Sequence, residues 1–179
     1  MHPLRKIVLT RAMAILLISV ALWQQQNAKA GADELPTLQP WQAPLSAPLQ
    51  LINPYFQPSS DYSAGHRGVD YRVKVGEPVF APTDSTVWFS GKVVDRQVLS
   101  LKTRAGDLLE FEPVCSTLIA GTDVVAGQPV AATCQPDASY RQHCADQLCL
   151  HFSLRTLNGY LSPLVRYGNL APTVLLPTD

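Results

Sequence analysis

Helical periodicity is missing from this chain. Nowhere in its 179 residues do apolar side chains recur at three- and four-residue spacing for long enough to build a core helix. Architectures that depend on packed helices are thereby excluded. Excess charge is missing too, since charged residues make up 16% and fourteen basic side chains are matched by fourteen acidic ones. Without an excess of positive charge, nucleic acid and anionic membrane surfaces are poor candidate partners. Internal repeats and low-complexity tracts are absent. Histidine is scarce at four residues, and His2 lies in the leader described next, so an imidazole-built site must draw on His66, His143 and His151.

What is present begins with a leader. Arg5, Lys6 and Arg11 accompany the apolar stretch from Ala12 to Trp23, and Ala28-Lys29-Ala30 supplies an A-x-A cleavage site, the pattern of a secretory signal peptide over residues 1–30. The apolar run is shorter than the roughly 20 residues of a bilayer crossing, with an uncleaved anchor as the alternative. Cleavage removes four of the fourteen basic residues and none of the fourteen acidic ones, leaving the mature chain at −4. The expectation is an exported monomer with no stable membrane insertion after cleavage. Residues 31–39 read as a short polar linker and 40–179 as one domain.

Export brings an oxidising compartment, where cysteines pair. Cys115, Cys134, Cys144 and Cys149 allow three pairings. The short loop between Cys144 and Cys149 favours that bridge, with Cys115–Cys134 as the other. A zinc-thiolate cluster is the rival, and it would need thiols kept reduced outside the cell.

Prolines at 40, 44, 48, 54 and 58 forbid regular helix and predict an extended, irregular lead-in that packs Trp41, Leu45 and Leu51 onto the domain. Short β-type runs follow, at Val69–Val73, Val79–Ala81, Thr86–Ser90, Val98–Thr103, Leu108–Val114, Pro129–Thr133 and Leu148–Arg155. Turns are expected at Gly76, Gly91, Gly106, Gly121 and Gly127. The fold class is all-β, a single domain of antiparallel sheets.

Two stretches carry chemistry. In Gly65-His66-Arg67-Gly68-Val69-Asp70 a carboxylate follows a histidine by four residues. A fully extended strand at about 3.3 Å per residue would hold the two some 13 Å apart, too far for one metal ion with ligand bonds of about 2.0–2.2 Å. Gly65 and Gly68 and the β-type residues after them oppose a helix, which leaves a glycine-bent loop that folds His66 and Asp70 onto one point. A loop His and Asp that merely lie near each other is the plainer reading of this pattern alone. The second stretch is Cys149-Leu150-His151-Phe152-Ser153-Leu154-Arg155. On a strand, Cys149, His151 and Ser153 share one face and Leu150, Phe152 and Leu154 the other, so the apolar face goes to the core and His151 is displayed opposite. A strand histidine satisfied by a carbonyl is the plainer reading here.

Taken in order, four segments resemble the LytM/lysostaphin-type zinc metallopeptidases. His66-Arg67-Gly68-Val69-Asp70 is similar to that family's His-x-x-x-Asp, and Gly76-Glu77-Pro78-Val79-Phe80-Ala81 to its Gly-x-x-Val-x-Ala. Gly121 to Val130 resembles its Gly-Asp-x-Val-x-x-Gly-Gln-x-Ile, and Cys149 to Arg155 its His-x-His-Phe strand. The resemblance implies the duplicated hybrid motif fold, with His66, Asp70 and His151 as ligands of Zn2+. Two histidines and one carboxylate with an open fourth position is what a zinc hydrolase requires, because water held there becomes the nucleophile.

The family also uses two histidines that do not bind metal, and both positions differ. Cys149 stands where the first His of His-x-His would be, and Pro113, in Phe111-Glu112-Pro113-Val114, stands where the other would be. The chain resembles a variant subgroup with Cys-Leu-His in that strand. His143 is the one histidine left to handle protons and is the catalytic candidate, an exposed loop residue being the alternative. The implied function is a bacterial, extracytoplasmic, wall-associated zinc endopeptidase acting on peptidoglycan peptides. The alternative is an inactive domain of the same fold that binds the wall or regulates another hydrolase. A Cys149/His151 thiol hydrolase is disfavoured, because a disulfide would silence the thiol.

Overall fold

The computed structural model describes residues 40–60, 62–140, 144 and 147–167. The leader, the linker and His143 lie outside the described residues. Eleven strands form: β1 Leu51–Asn53, β2 Gly68–Arg72, β3 Pro78–Phe80, β4 Ser85–Val93, β5 Arg96–Thr103, β6 Leu108–Glu112, β7 Val114–Cys115, β8 Asp123–Val124, β9 Pro129–Thr133, β10 Cys149–Thr156 and β11 Gly159–Leu161. Among the described residues the only helical element is a 3-10 turn, Pro163–Arg166. The larger sheet runs β1-β2-β10-β6-β5-β4-β8 with β11 on β10, the smaller runs β3-β9-β7, and the pairings are antiparallel. The all-β expectation holds.

Alternation in the strands explains how the sheets close. Leu99 and Leu101 of β5, Leu109 and Phe111 of β6, and Leu150 and Phe152 of β10 point to one side and are wholly buried. They join Val79 of β3, Val114 of β7 and Val130 of β9 in one apolar cluster that holds the two sheets together. Phe111 and Phe152, directly opposed in register, stack with centroids 4.8 Å apart. The Cys115–Cys134 disulfide ties the end of β7 to the residue after β9.

Several local expectations are corrected. Gly91 does not mark a turn: it lies within β4, and the β4–β5 ladder continues past it to Val93↔Arg96. The reversal falls at Val94, with φ 57° and 87% exposed, where cross-strand pairing outweighs the glycine signal and a solvent-facing valine accepts the left-handed backbone. The segment read as one strand from Leu108 to Val114 breaks at Pro113, which has no N–H to give a ladder. The chain there passes from the larger sheet into the smaller. The lead-in does pack Leu45 into the core and Trp41 against it, but Leu51 belongs to edge strand β1 and is 44% exposed. Strands β1, β8 and β11, two or three residues long, were not expected.

Candidate metal centre

Four polar residues line up across the larger sheet. Asn53 of β1 lies opposite Asp70 of β2, Asp70 opposite His151 of β10, and His151 opposite Glu112 of β6. Each sits on the face away from the core, because its strand neighbours Val69, Phe111, Leu150 and Phe152 fill the core. His66 arrives from outside the row. Its backbone pairs reciprocally with Phe56, N–H to carbonyl at 2.9 Å both ways, and this holds the residue beside the start of β2.

The three candidate ligands converge. His151 Nδ1 stands 2.8 Å from Asp70 Oδ1, while His66 Nε2 stands 3.2 Å from that oxygen and 3.2 Å from His151 Nδ1. Around a tetrahedral ion with bonds of about 2.0–2.1 Å, ligand atoms stand about 3.3 Å apart. The triangle therefore has nearly the edge lengths zinc would set.

Hydrogen bonding at the rear of each side chain fixes which atoms face inward. His66 Nδ1 lies 2.8 Å from the Pro54 carbonyl, which can only accept, so Nδ1 carries the proton and Nε2 of the neutral ring offers its lone pair. Asn53 Nδ2 donates to Asp70 Oδ2 at 2.8 Å, leaving Oδ1 turned to the imidazoles. A proton within the triangle satisfies one edge, whereas a divalent cation satisfies all three. The donor set fits a metal of zinc's type. Asp70 is fully buried, and the His66 side chain, at 21% exposure against 10% for His151, forms the open side.

Sterics explain the glycine at 68. A Cβ there would stand 2.6 Å from both Cε1 and Nε2 of His151 and 2.6 Å from the Phe152 carbonyl oxygen. Only glycine leaves room for the imidazole where it stands. At Gly65 a Cβ would meet Pro58 Cγ at 2.7 Å. The glycine-bent loop expected between His66 and Asp70 is shorter than expected: β2 already begins at Gly68, so Asp70 is a strand residue and only Arg67 separates His66 from the strand.

The Cys144–Cys149 disulfide walls the site beside Asp70. Asn53 Nδ2 also approaches Cys144 Sγ at 3.6 Å, so one amide touches both the bridge and the carboxylate. One oxygen of Asp70 and the two sulfurs lie within 4.8 Å of one another. Both bridges are formed as expected, among the described residues no cysteine is free, and the zinc-thiolate rival is therefore not realised. Cys149 cannot act as a nucleophile. The face predicted for His151 is right, but it is not open: Cys149, His151 and Ser153 are each 8% exposed or less.

Sequence reasoning missed the residues on the other flank. Glu112 is 4% exposed and accepts a hydrogen bond from Arg96 Nε at 2.9 Å. Arg96 also pairs with Asp95 at 3.2 Å and lies 5.5 Å from the centroid of the Tyr140 ring. Burial, with Glu112, Asp70 and Asp95 adding to it against the opposing pull of Arg96, pushes the Tyr140 hydroxyl up to about 12. That group keeps its proton at neutral pH. The signal for Glu112 was its sequence neighbour Phe111: once Phe111 goes to the core, Glu112 must face the other way.

The sheet arrangement has counterparts among solved structures. A zinc-containing peptidase from Vibrio cholerae matches with a TM-score of 0.59 at 16% identity, over 70% of this chain and 40% of that one. The catalytic domain of a point mutant of the prophage-encoded M23 protein EnpA from Enterococcus faecalis matches at 0.54 and 22%, over 71% and 98%. Lysostaphin from Staphylococcus simulans matches at 0.53 and 19%, over 73% and 55%. The SpoIIQ–SpoIIIAH pore-forming complex contributes a match at 0.60 and 15%, over 73% and 92%. The chain has the fold of the M23, lysostaphin-type peptidases. Curated relatives from Mycobacterium bovis and Mycobacterium tuberculosis, themselves uncharacterised, are 34% identical over 111 residues, covering 61% of this chain. The chain spans 42% of their length. No family model matches it.

Proposed function

We propose that this protein is an extracytoplasmic zinc metallopeptidase that cleaves peptide bonds in peptidoglycan. The observation that carries the reading is the inward convergence of three electron-pair donors, His66 Nε2, Asp70 Oδ1 and His151 Nδ1, at 2.8–3.2 Å. Support comes from the fold shared with zinc peptidases and from two disulfides, which belong to an oxidising compartment.

In this reading His66, Asp70 and His151 hold the ion. When bound, zinc polarises the scissile carbonyl and lowers the pKa of water. The chain does the rest. Pro54 fixes the His66 tautomer, Asn53 fixes the carboxylate, and Gly68 sets the plane of His151. The Tyr140 hydroxyl is a donor suited to negative charge developing on the substrate. His143 remains the candidate for moving the proton to the leaving amine.

His151→Ala should abolish one-to-one zinc binding measured by elemental analysis after refolding, along with release of peptides from purified walls. Undiminished zinc in that variant would sink the ligand assignment. A second reading is favoured by one feature: both positions of the non-ligand histidines are taken, by the oxidised Cys149 and by Pro113. A zinc-loaded wild type that binds walls without releasing peptide would establish that reading, a wall-binding or regulatory module. A chain of the SpoIIQ–SpoIIIAH pore-forming complex shares the fold, so the fold also occurs in assemblies.

A further inference from the structure

Asp70 belongs to two clusters of metal-ligating atoms. One is the triangle with His66 and His151; the other joins a carboxylate oxygen of Asp70 to the sulfurs of Cys144 and Cys149, all within 4.8 Å of one another. The fold brings this second cluster together. Strand β2 carries Asp70, β10 begins with Cys149, and the bridge draws Cys144 to both. Asn53 Nδ2 touches the two sides, 2.8 Å from Asp70 Oδ2 and 3.6 Å from Cys144 Sγ. All three candidate ligands are buried, Cys144 and Cys149 at 5% exposure and Asp70 at 0%.

In the bridged protein the sulfurs are bonded to each other and cannot take a metal. A disulfide is nevertheless a second step, because cysteines are thiols until an oxidising compartment pairs them. As thiols, Cys144 and Cys149 have four residues between them, a spacing found among zinc ligands. Around a tetrahedral ion with Zn–S bonds of about 2.3 Å and a Zn–O bond of about 2.0 Å, the sulfurs stand about 3.8 Å apart and each about 3.5 Å from the oxygen. Those separations fall inside the 4.8 Å that the three atoms already keep, so the site needs only the S–S bond to open. Two thiolates and a carboxylate bring three negative charges into a buried place, which requires cations beside them. A divalent ion cancels two. Arg72 stands directly opposite Cys149 in the β2–β10 register, on the same face of β2 as Asp70, and supplies a third positive charge.

We propose that the dithiol form of this protein holds a thiophilic divalent metal ion on Cys144, Cys149 and Asp70, and that closing the bridge expels the ion and releases Asp70 to His66 and His151. Such ions favour thiolate ligands, so the reduced chain commits its one shared carboxylate to the sulfur side. The closing step balances with a disulfide as oxidant. It takes two electrons from the thiolates and two protons from water and leaves as a dithiol, while the Cys144–Cys149 bond forms and the ion departs. The inference does not rest on the peptidase reading, since it concerns a metal site that exists only while the bridge is open.

Titration with Co2+ tests it, because thiolate bound to cobalt gives a charge-transfer band in the near ultraviolet that imidazole and carboxylate do not. The protein is titrated without oxygen, both as the disulfide and after reduction by a phosphine, with circular dichroism following the sheet signal. The band should appear in reduced wild type and be absent from the bridged form. It should persist in reduced His151→Ala and in reduced Cys115→Ser/Cys134→Ser, and vanish in Cys144→Ser/Cys149→Ser. Cobalt affinity of reduced Asp70→Asn should fall by at least the roughly tenfold that loss of an outer partner of a ligand costs. A reduced protein that loses its sheet signal, or binds cobalt without the band, overturns the proposal. So does a band that survives Cys144→Ser/Cys149→Ser, or an Asp70→Asn affinity equal to wild type. The imidazole site is judged on the bridged protein, so either assignment can fail while the other stands.

Discussion

Adding one methyl group at Gly68 should damage the metal site more than its size suggests. The Cβ of Gly68→Ala would stand 2.6 Å from two ring atoms of His151 and from the Phe152 carbonyl oxygen, about 1 Å inside the comfortable 3.5–4.0 Å contact distance. The carbonyl belongs to the β2–β10 pairing and cannot retreat without opening the ladder, while the ring can turn only by leaving Asp70. Overpacking of this kind costs about 1–3 kcal/mol, a Tm lower by about 5–10 °C in a domain of this size. Disturbing the groups that hold a ligand in place costs about 10- to 100-fold in metal affinity. Zinc competition against a chromophoric chelator measures the second quantity and calorimetry of the chelated protein the first. Gly91→Ala is the control, because its Cβ meets only the Phe89 ring at 3.3 Å and its φ is ordinary. Folded Gly68→Ala with wild-type zinc affinity would refute the idea that this glycine seats His151.

Replacing both cysteines of each bridge by serine should separate stability from metal binding. The 19-residue separation of Cys115 and Cys134 corresponds to about 3 kcal/mol of loop entropy, against about 2 for the five-residue separation of Cys144 and Cys149, yet only the second replacement should lower zinc affinity; equal zinc affinities would show that the bridge beside Asp70 is not part of the site. His143→Ala should keep zinc and fold while losing about 10²- to 10⁴-fold in wall-cleaving rate, and unchanged activity would remove His143 from the mechanism. For Tyr140 the folded pKa of about 12 lies above the ordinary 10.0, so its contribution to stability is fully present below pH 10 and is lost as pH rises through 12. Tm measured across that interval should fall less steeply in Tyr140→Phe, and identical slopes would contradict the burial of that hydroxyl.

The outline of the fold was legible because the strongest alternation, Val98 to Lys102, and the apolar face of Leu150, Phe152 and Leu154 each name their own face. The candidate ligands were legible because a scarce residue type leaves few choices. Register was not legible. That Asn53, Asp70, His151 and Glu112 form one row depends on which residue lies across from which, and no single strand carries that information. Glu112 was passed over for the same reason, being read as a neighbour of Pro113 and not as the partner of His151. Gly91 misled because a glycine can serve a strand as well as a turn, and the choice fell to the β5 residues opposite it. His143 lies outside the described residues, and its role rests on its being the one histidine left besides the candidate ligands.

The polar row has a consequence for the order in which the molecule is made. Its members come from β1, β2, β6 and β10, and the two imidazoles that meet at 3.2 Å are 85 residues apart in the chain. A ribosome delivers β10 after every other strand of the row, so the nascent chain carries His66 and Asp70 through 81 further residues before the third candidate ligand exists. Capture of an ion by all three candidate ligands would therefore be a late event, possible only after β10 has inserted between β2 and β6. It also works as proofreading: a slip of β10 by one residue would turn His151 to the core side and remove it from the triangle. An ion held by all three would then stabilise the correct register alone, and would in effect inspect the sheet before it stays.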